Sequence, residues 1–350
     1  MKKLFKTKKP ILIAEVSCNH NGNIKNAKKL ILLAKKSGAE IVKLQTYTPS
    51  TMTLNSKKKH FLIKKGLWKG KNLWELYKKS QTPFEWQKEL FIYAKKIGIT
   101  CFSTPFDETA VNLLEKIKCP FYKISSFEMN DIPLIKRVAK TGKPLIISTG
   151  TSSLKEINTA YRTARSSGAK KIILLYCVSN YPSKVEDFNL NNIKILKKKF
   201  KCPVGLSDHS KDSNVMVAAI ASGATIVEKH IALENQKKGF DIEFSLKGKE
   251  VKKFKQLMNQ THELIGEQKF IRKKSEDFGK FFKRSIFISE NIEKGERFSK
   301  NNIRVVRPGV GLDPIYYESI INRKSPKHLK KNNPMKEDIL KSLKIKRKKF

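Results

Sequence analysis

Residues 144–177, PLIISTGTSSLKEINTAYRTARSSGAKKIILLYC, read as strand, helix, strand. PLIIST (144–149) and KIILLYC (171–177) are nearly continuous apolar runs, the pattern of strands covered on both faces. Between them LKEINTAYRTARSSG (154–168) alternates apolar and polar residues at helical spacing and ends on a glycine, a C-terminal cap signal. Working outward, the same unit recurs. Further strand candidates are ILIAEVS (11–17), EIVKLQT (40–46), ITCFST (99–104), PFYKIS (120–125), CPVGLSD (202–208) and ATIVEKH (224–230). Helical patterns such as NAKKLILLAKKSG (26–38), with Leu30, Leu33 and Ala34 on one face, lie between them. Eight strand–helix units in about 250 residues make a (β/α)₈ TIM barrel.

The barrel is expected over residues 1–266, ending with KEVKKFKQLMNQTHELIG (249–266). A long insertion at about 47–80, with two tryptophans, leaves the C-terminal end of the second strand, where substrate-covering loops sit. Residues 267–282 read as a charged linker. Residues 283–350 change to short strands with Gly and Pro turns, a compact β-rich domain, and the basic tail KSLKIKRKKF (341–350) reads as frayed.

The net charge is +43, and 64 of the 74 basic residues are lysine. Nucleic-acid sites lean on clustered arginine, whereas these lysines spread over almost every helix face, so no nucleic-acid partner is expected. The field would still steer an anionic substrate. No apolar run spans a bilayer, and the short first run ends at Glu15 rather than at a cleavage site, so no membrane or signal segment is expected. Five cysteines at wide spacings without a CxxC pair fit a reducing, cytoplasmic compartment.

Side chains at the C-terminal ends of barrel strands form the active site. Here they are Glu15, Asn19 and His20; Lys43 and Gln45; Ser103 and Thr104; Lys123, Ser125, Ser126 and Glu128; Ser148 and Thr149; Asn180 and Tyr181; Ser207, Asp208 and His209; Glu228, Lys229 and His230. His209 and His230 close neighbouring strands about 4.8 Å apart, so two imidazoles can hold one divalent cation. Water and substrate would complete an open Lewis-acid site suited to Mn²⁺ or Mg²⁺. The alternative is two structural histidines. His20 is open to either a structural role or orienting Glu15, and His60, His262 and His328 fall on surface elements. Lys43 and Lys123 point inward and need an anion. Hydroxyls of Thr104, Ser126, Ser148 and Ser207 suit phosphate or carboxylate oxygens, which points to a compact ligand like phosphoenolpyruvate. Internal salt bridges with Glu15 or Glu128 are the alternative.

The series IAEVSCNHNG (13–22), EIVKLQT, FSTPFD (102–107), YKISSFE (122–128), PLIISTG, GLSDH (205–209), VEKH (227–230) and VVRPGVG (305–311) resembles the sialic acid synthase family over about residues 10–320. The resemblance implies that His209 and His230 bind metal and that Lys43, Thr104, Lys123, Ser126, Ser148 and Ser207 cradle phosphoenolpyruvate. It implies Glu15 as the catalytic carboxylate and Gln45, Asn180, Tyr181 and Asp241 as contacts to an N-acetylated aldose. It further implies a C-terminal domain similar to type III antifreeze protein (SAF-like), whose Arg307 enters the partner's barrel in a domain-swapped homodimer. KLQTYTPSTMT (43–53), GLWKGKNLWELY (66–77) and FSTPFDETAV (102–111) look more like the pseudaminic acid branch than the N-acetylneuraminate or legionaminic acid branches. CVSNYP (177–182) departs from the CTN pattern of neuraminate synthases, again favouring a different sugar. Rival readings are a pyruvate aldolase using Lys123 as an imine, and a basic nucleic-acid-binding protein.

Overall fold

The computed structural model describes residues 9–347. Eight parallel strands run β1 (Ile11–Glu15), β2 (Ile41–Thr46), β3 (Thr100–Pro105), β4 (Tyr122–Ile124), β5 (Leu145–Ser148), β6 (Ile172–Cys177), β7 (Val204–Asp208) and β8 (Ile226–Ala232). Each pairs with the next, and β1 pairs with β8 to close the barrel. A short β9 (Leu246–Lys247) extends the sheet beside β8.

Local chemistry sets the helices between them. Helix Leu154–Ser166 begins at Ser153, whose hydroxyl accepts from the Glu156 N–H while the Glu156 carboxylate accepts from the Ser153 N–H. That reciprocal cap satisfies two donors the helix leaves open. Its buried face, Ile157, Ala160 and Ala164, packs on the barrel. Asp107 caps helix Glu108–Lys116 by accepting from the N–H groups of Thr109 and Ala110. Strand interiors are buried Ile, Leu and Val, each contributing roughly 1.5–3 kcal/mol by leaving water.

Strand alternation sorts the polar residues. On β7 and β8, Ser207, Glu228 and His230 face the barrel interior, while Asp208 and Lys229 face outward. That outward pair is buried and joined at 2.9 Å, and Lys229 also donates to the Ser210 carbonyl. Lys229 is thereby a structural tie and not a site residue.

The chain divides into two compact units, one ending at Gly266 and one beginning at Glu267. In the second, β10 (Ser285–Ile288) and β11 (Ile303–Val306) form an antiparallel pair over a core including Ile286, Phe298, Ile303, Leu312 and Ile339. The expected run of strands is otherwise reduced to isolated bridges, such as Ile292 to Leu329, and short helical turns. A small core with Gly and Pro turns holds its chain by single hydrogen-bond pairs where a ladder has no room to extend. Residues 274–282, expected as plain linker, form a 3₁₀ segment. The tail is not frayed as far as it is described: Leu343 and Ile345 pack on the core, and residues 348–350 lie outside the described residues.

Candidate active site

The inward residues at the strand ends meet in one cavity of about 470 Å³. Its floor is a cluster of charges. The Lys43 ammonium lies 2.9 Å from Glu228 Oε1 and 3.3 Å from Glu15 Oε2. The Lys123 ammonium lies 3.1 Å from the same Glu228 oxygen, and the Ser207 hydroxyl donates to it at 3.2 Å. All five side chains are buried. Burial would lower the Lys43 pKa, but Glu15 and Glu228 outweigh it and hold the pKa above its ordinary value. For Lys123, burial wins over Glu228 and the pKa falls. Glu228 would rise on burial, but the two lysines hold it well below the carboxylate range. Glu15, the deepest, is raised by burial against the pull of Lys43.

The internal salt bridges left open by the sequence therefore exist, with Glu15 and Glu228 rather than Glu128. Lys123 is held by the Glu228 carboxylate rather than standing unpaired in the cavity. Other donors stand unused: the buried hydroxyls of Thr104 and Ser148 have no hydrogen-bond partner. A buried hydroxyl left unpaired costs about 1–3 kcal/mol, so these groups fit oxygens brought by a ligand. Ser126 accepts from the Gly150 N–H at 3.0 Å, and a β-carbon at Gly150 would clash with Ser179 and Ser126, so glycine permits this approach.

The His209 and His230 ring centroids are 5.3 Å apart. His209 Nδ1–H donates to the Val178 carbonyl at 3.1 Å, which leaves its Nε2 lone pair free. His230 Nδ1 has no hydrogen-bond partner and sits 3.4 Å from Asp241 Oδ2, which also accepts from the Ser17 hydroxyl at 2.5 Å. Both imidazoles line the cavity. Among the described residues no group of three or more His, Cys, Asp or Glu gathers to enclose a metal. Two oriented imidazoles with free ring nitrogens fit a cation whose remaining positions are taken by water and substrate. His20 is separate: its Nδ1 accepts from the Gly22 N–H, its Nε2 meets Thr82, and burial lowers its pKa to about 4. It is a neutral structural histidine.

The remaining wall of the cavity is largely apolar, although Lys65, Tyr47 and Ser80 also contribute to it. The insertion supplies Met52, Ile63, Trp68, Leu73, Leu76 and Tyr77, joined by Phe106, Phe127 and Phe240. Trp68 spends its N–H on the Phe240 carbonyl at 3.1 Å. Its ring lies 5.4 Å from Tyr181, which lies 4.4 Å from His209, so aromatic surface leads outward from the histidine pair.

Of the expected site residues, Lys43, Gln45, Lys123, Ser126, Ser148, Tyr181, Ser207, His209, His230 and Asp241 line this cavity. Glu15 and Thr104 are fully buried at their strand ends and absent from the lining; Glu15 is tied to it through Lys43 and the amide of Gln45, 3.0 Å away. The sugar contact expected of Asn180 is corrected. Its side chain is exposed and donates to Asp187 at 3.1 Å, because the turn at Tyr181 turns the tyrosine inward and the asparagine out. Arg307 is exposed beside Pro308 in the second unit. The sequence left two lining carboxylates without a role. Glu228 is one. The other is Glu128, whose Oε2 is buried without a partner and whose pKa burial pushes up to about 7, with Lys123 opposing.

A parallel eight-stranded barrel with this floor and paired imidazoles defines a class. Residues 30–270 match the NeuB family and residues 283–340 the SAF domain, and the chain belongs to the NeuB family. It is 43% identical to the pseudaminic acid synthase of Helicobacter pylori over 336 residues, covering 95% of this chain and 99% of that protein. It is 34% identical to the N,N'-diacetyllegionaminic acid synthase of Campylobacter jejuni, covering 94% of this chain and 100% of that protein. The crystal structure of N-acetylneuraminic acid synthetase from Leptospira borgpetersenii, in complex with citrate, superposes with a TM-score of 0.69 at 32% identity, covering 78% of this chain and 90% of that one. The fold expected from the sequence is the one observed.

Proposed function

We propose that the protein condenses phosphoenolpyruvate with 2,4-diacetamido-2,4,6-trideoxy-L-altrose and releases phosphate, the activity of a pseudaminic acid synthase. The carrying observation is the juxtaposition, in one cavity, of a lysine–hydroxyl floor, a pair of oriented imidazoles and an apolar wall. The floor suits a molecule with both phosphate and carboxylate. The wall suits a sugar end with methyl groups in place of hydroxyls, since a hydroxyl there would lose its water without a partner. The greater identity to a pseudaminic than to a legionaminic acid synthase supports the same sugar.

In the reaction, C3 of the enol phosphate attacks the aldehyde carbon of the open-chain sugar. The C=O π pair moves to the sugar oxygen, which becomes a hydroxyl by taking up the proton that the attacking water releases through Glu128. C2 becomes electron-poor and takes up water. The resulting tetrahedral carbon then loses phosphate by C–O cleavage, leaving the 2-keto acid. Lys43, Lys123 and the hydroxyls of Ser126, Ser148, Ser207 and Thr104 hold the phosphate and carboxylate. Glu15, below them, supplies negative potential to the cationic C2. Glu128, with a free oxygen and a pKa of about 7, takes the proton of the attacking water. His209 and His230 would hold a divalent cation such as Mn²⁺ or Mg²⁺, which would supply Lewis-acid polarisation of the aldehyde when bound.

A domain-swapped homodimer is part of the same reading. Phe278, Phe281 and Phe282, whose rings meet one another, are 75%, 52% and 50% exposed, an apolar surface that a second copy would cover. A cytoplasmic location fits five free cysteines, a phosphorylated metabolite as substrate, and the lack, among the described residues, of any helix long and apolar enough to cross a membrane.

Phosphate release is the test, measured with N-acetylmannosamine, the glucose-configured 6-deoxy diacetamido sugar and the altrose-configured one. Fastest release is expected with the last. Preference for either of the others would replace the proposed sugar.

A further inference from the structure

Glu228 has no part in the reaction just described, yet it occupies the centre of the floor. One oxygen, Oε1, receives Lys43 at 2.9 Å, Lys123 at 3.1 Å and Ser207 at 3.2 Å. These are three of the six groups assigned to the substrate anion. The other oxygen, Oε2, is buried with no partner. Counting Glu15, the two ammoniums already face two carboxylates, so the floor is charge-neutral before any ligand arrives.

We propose that Glu228 is a resident counter-ion that competes with substrate and product anions for Lys43, Lys123 and Ser207. Removing one partner of a buried ion pair leaves a charge uncompensated, so lysines held for a transient ligand need an anion between turnovers. A carboxylate on β8, reaching lysines on β2 and β4 across the barrel interior, provides it without leaving the fold. An arriving phosphate or carboxylate must share or displace Oε1, which weakens ground-state binding. The same competition drives departure. A phosphate left facing two bare ammoniums in a water-poor site would be held tightly, and the returning carboxylate lowers that hold. Glu228 thus acts on anion affinity through the lysines and is a positioning residue, not a group that touches the reacting carbon. Its placement on β8 beside Ser207 on β7 makes the contact a property of the register.

This inference rests on the floor being an anion site, so its test uses inorganic phosphate alone and needs no sugar. Calorimetry on full-length wild type and Glu228→Gln is expected to show phosphate binding tightened about tenfold or more in the variant. In turnover, KM for phosphoenolpyruvate falls together with kcat as phosphate release slows. A merely structural role moves both the other way: phosphate binds more weakly and KM rises, which would overturn the proposal. Should Glu228→Gln fail to fold with two ammoniums facing one carboxylate, Glu228→Asp decides. Its charge remains but its reach is one methylene shorter, so one lysine is freed and phosphate binding tightens by a smaller factor; unchanged or weaker binding refutes the counter-ion. Tighter phosphate binding without condensation of any sugar would sink the proposed reaction and leave this inference standing.

Discussion

The two sides of the cavity are built by different means. The floor sits on strand ends, and its side chains are placed by the hydrogen-bonded register of the sheet: Glu15 lies opposite Lys43 and His230, and Ser207 opposite Glu228. The wall sits largely on the insertion between β2 and β3, on short helical pieces such as Leu73–Ser80, and its aromatic residues are held by one another. A floor residue cannot shift without disturbing its strand. A wall residue can be exchanged while the barrel stays as it is. On the proposed reading, chemistry common to several sugars belongs to the floor, and choice among sugars to the wall.

That division can be broken from the floor side first. Dialysis against a chelator is expected to reduce turnover by about a thousandfold or more with every sugar, restored by Mn²⁺ or Mg²⁺; full activity afterwards would remove the histidine pair from the chemistry. Lys123→Met is expected to lower kcat/KM for phosphoenolpyruvate by about a thousandfold while leaving the ranking of sugars intact. A changed ranking would show that floor and wall are not separable.

Glu128 lies between the two regions and gives a pH signature. Its folded pKa of about 7 is above the ordinary 4.5, so the folded chain holds this proton more firmly than the unfolded one. The corresponding stability is fully present below pH 4.5 and is lost as pH rises through about 7. Relative to Glu128→Gln, wild type should lose on the order of 3 kcal/mol across that window and then level off. Thermal unfolding of both proteins between pH 4 and 8 measures it, and parallel curves would mean that Glu128 is solvated. The smallest effect is expected at the wall. Trp68→Ala should raise KM for the sugar about tenfold and narrow the preference for a 6-deoxy over a 6-hydroxy substrate, with KM for phosphoenolpyruvate unchanged.

The difference between the regions also explains what could be read from the sequence. Strands buried on both faces announce themselves as apolar runs, and a polar residue at the end of such a run has few places to go. Lys43, Lys123, His209 and His230 were legible for that reason. Period-two alternation further separates Glu228 and His230 from Lys229, which turns outward to Asp208. The partner of Lys123 was not legible, because Glu228 is 105 residues away and either Glu15 or Glu128 suited the charge as well. Depth was also hidden, since nothing local places Glu15 beneath the surface that Gln45 lines. Asn180 failed because one step along an irregular turn reverses a side chain, with no strand to fix it. The wall had no periodic signal, as its residues come from separate turns brought together only by packing. In the second unit, turn residues were read correctly as turns, but the segments between them are too short for the ladder they suggested.

The central claim is that an enol phosphate reacts at carbon and loses phosphate by C–O cleavage. Phosphoenolpyruvate carrying ¹⁸O in the bridging oxygen tests it directly. After turnover with the diacetamido altrose sugar, the label is expected in inorganic phosphate. Label recovered in the sugar acid would mean P–O cleavage and would contradict the account.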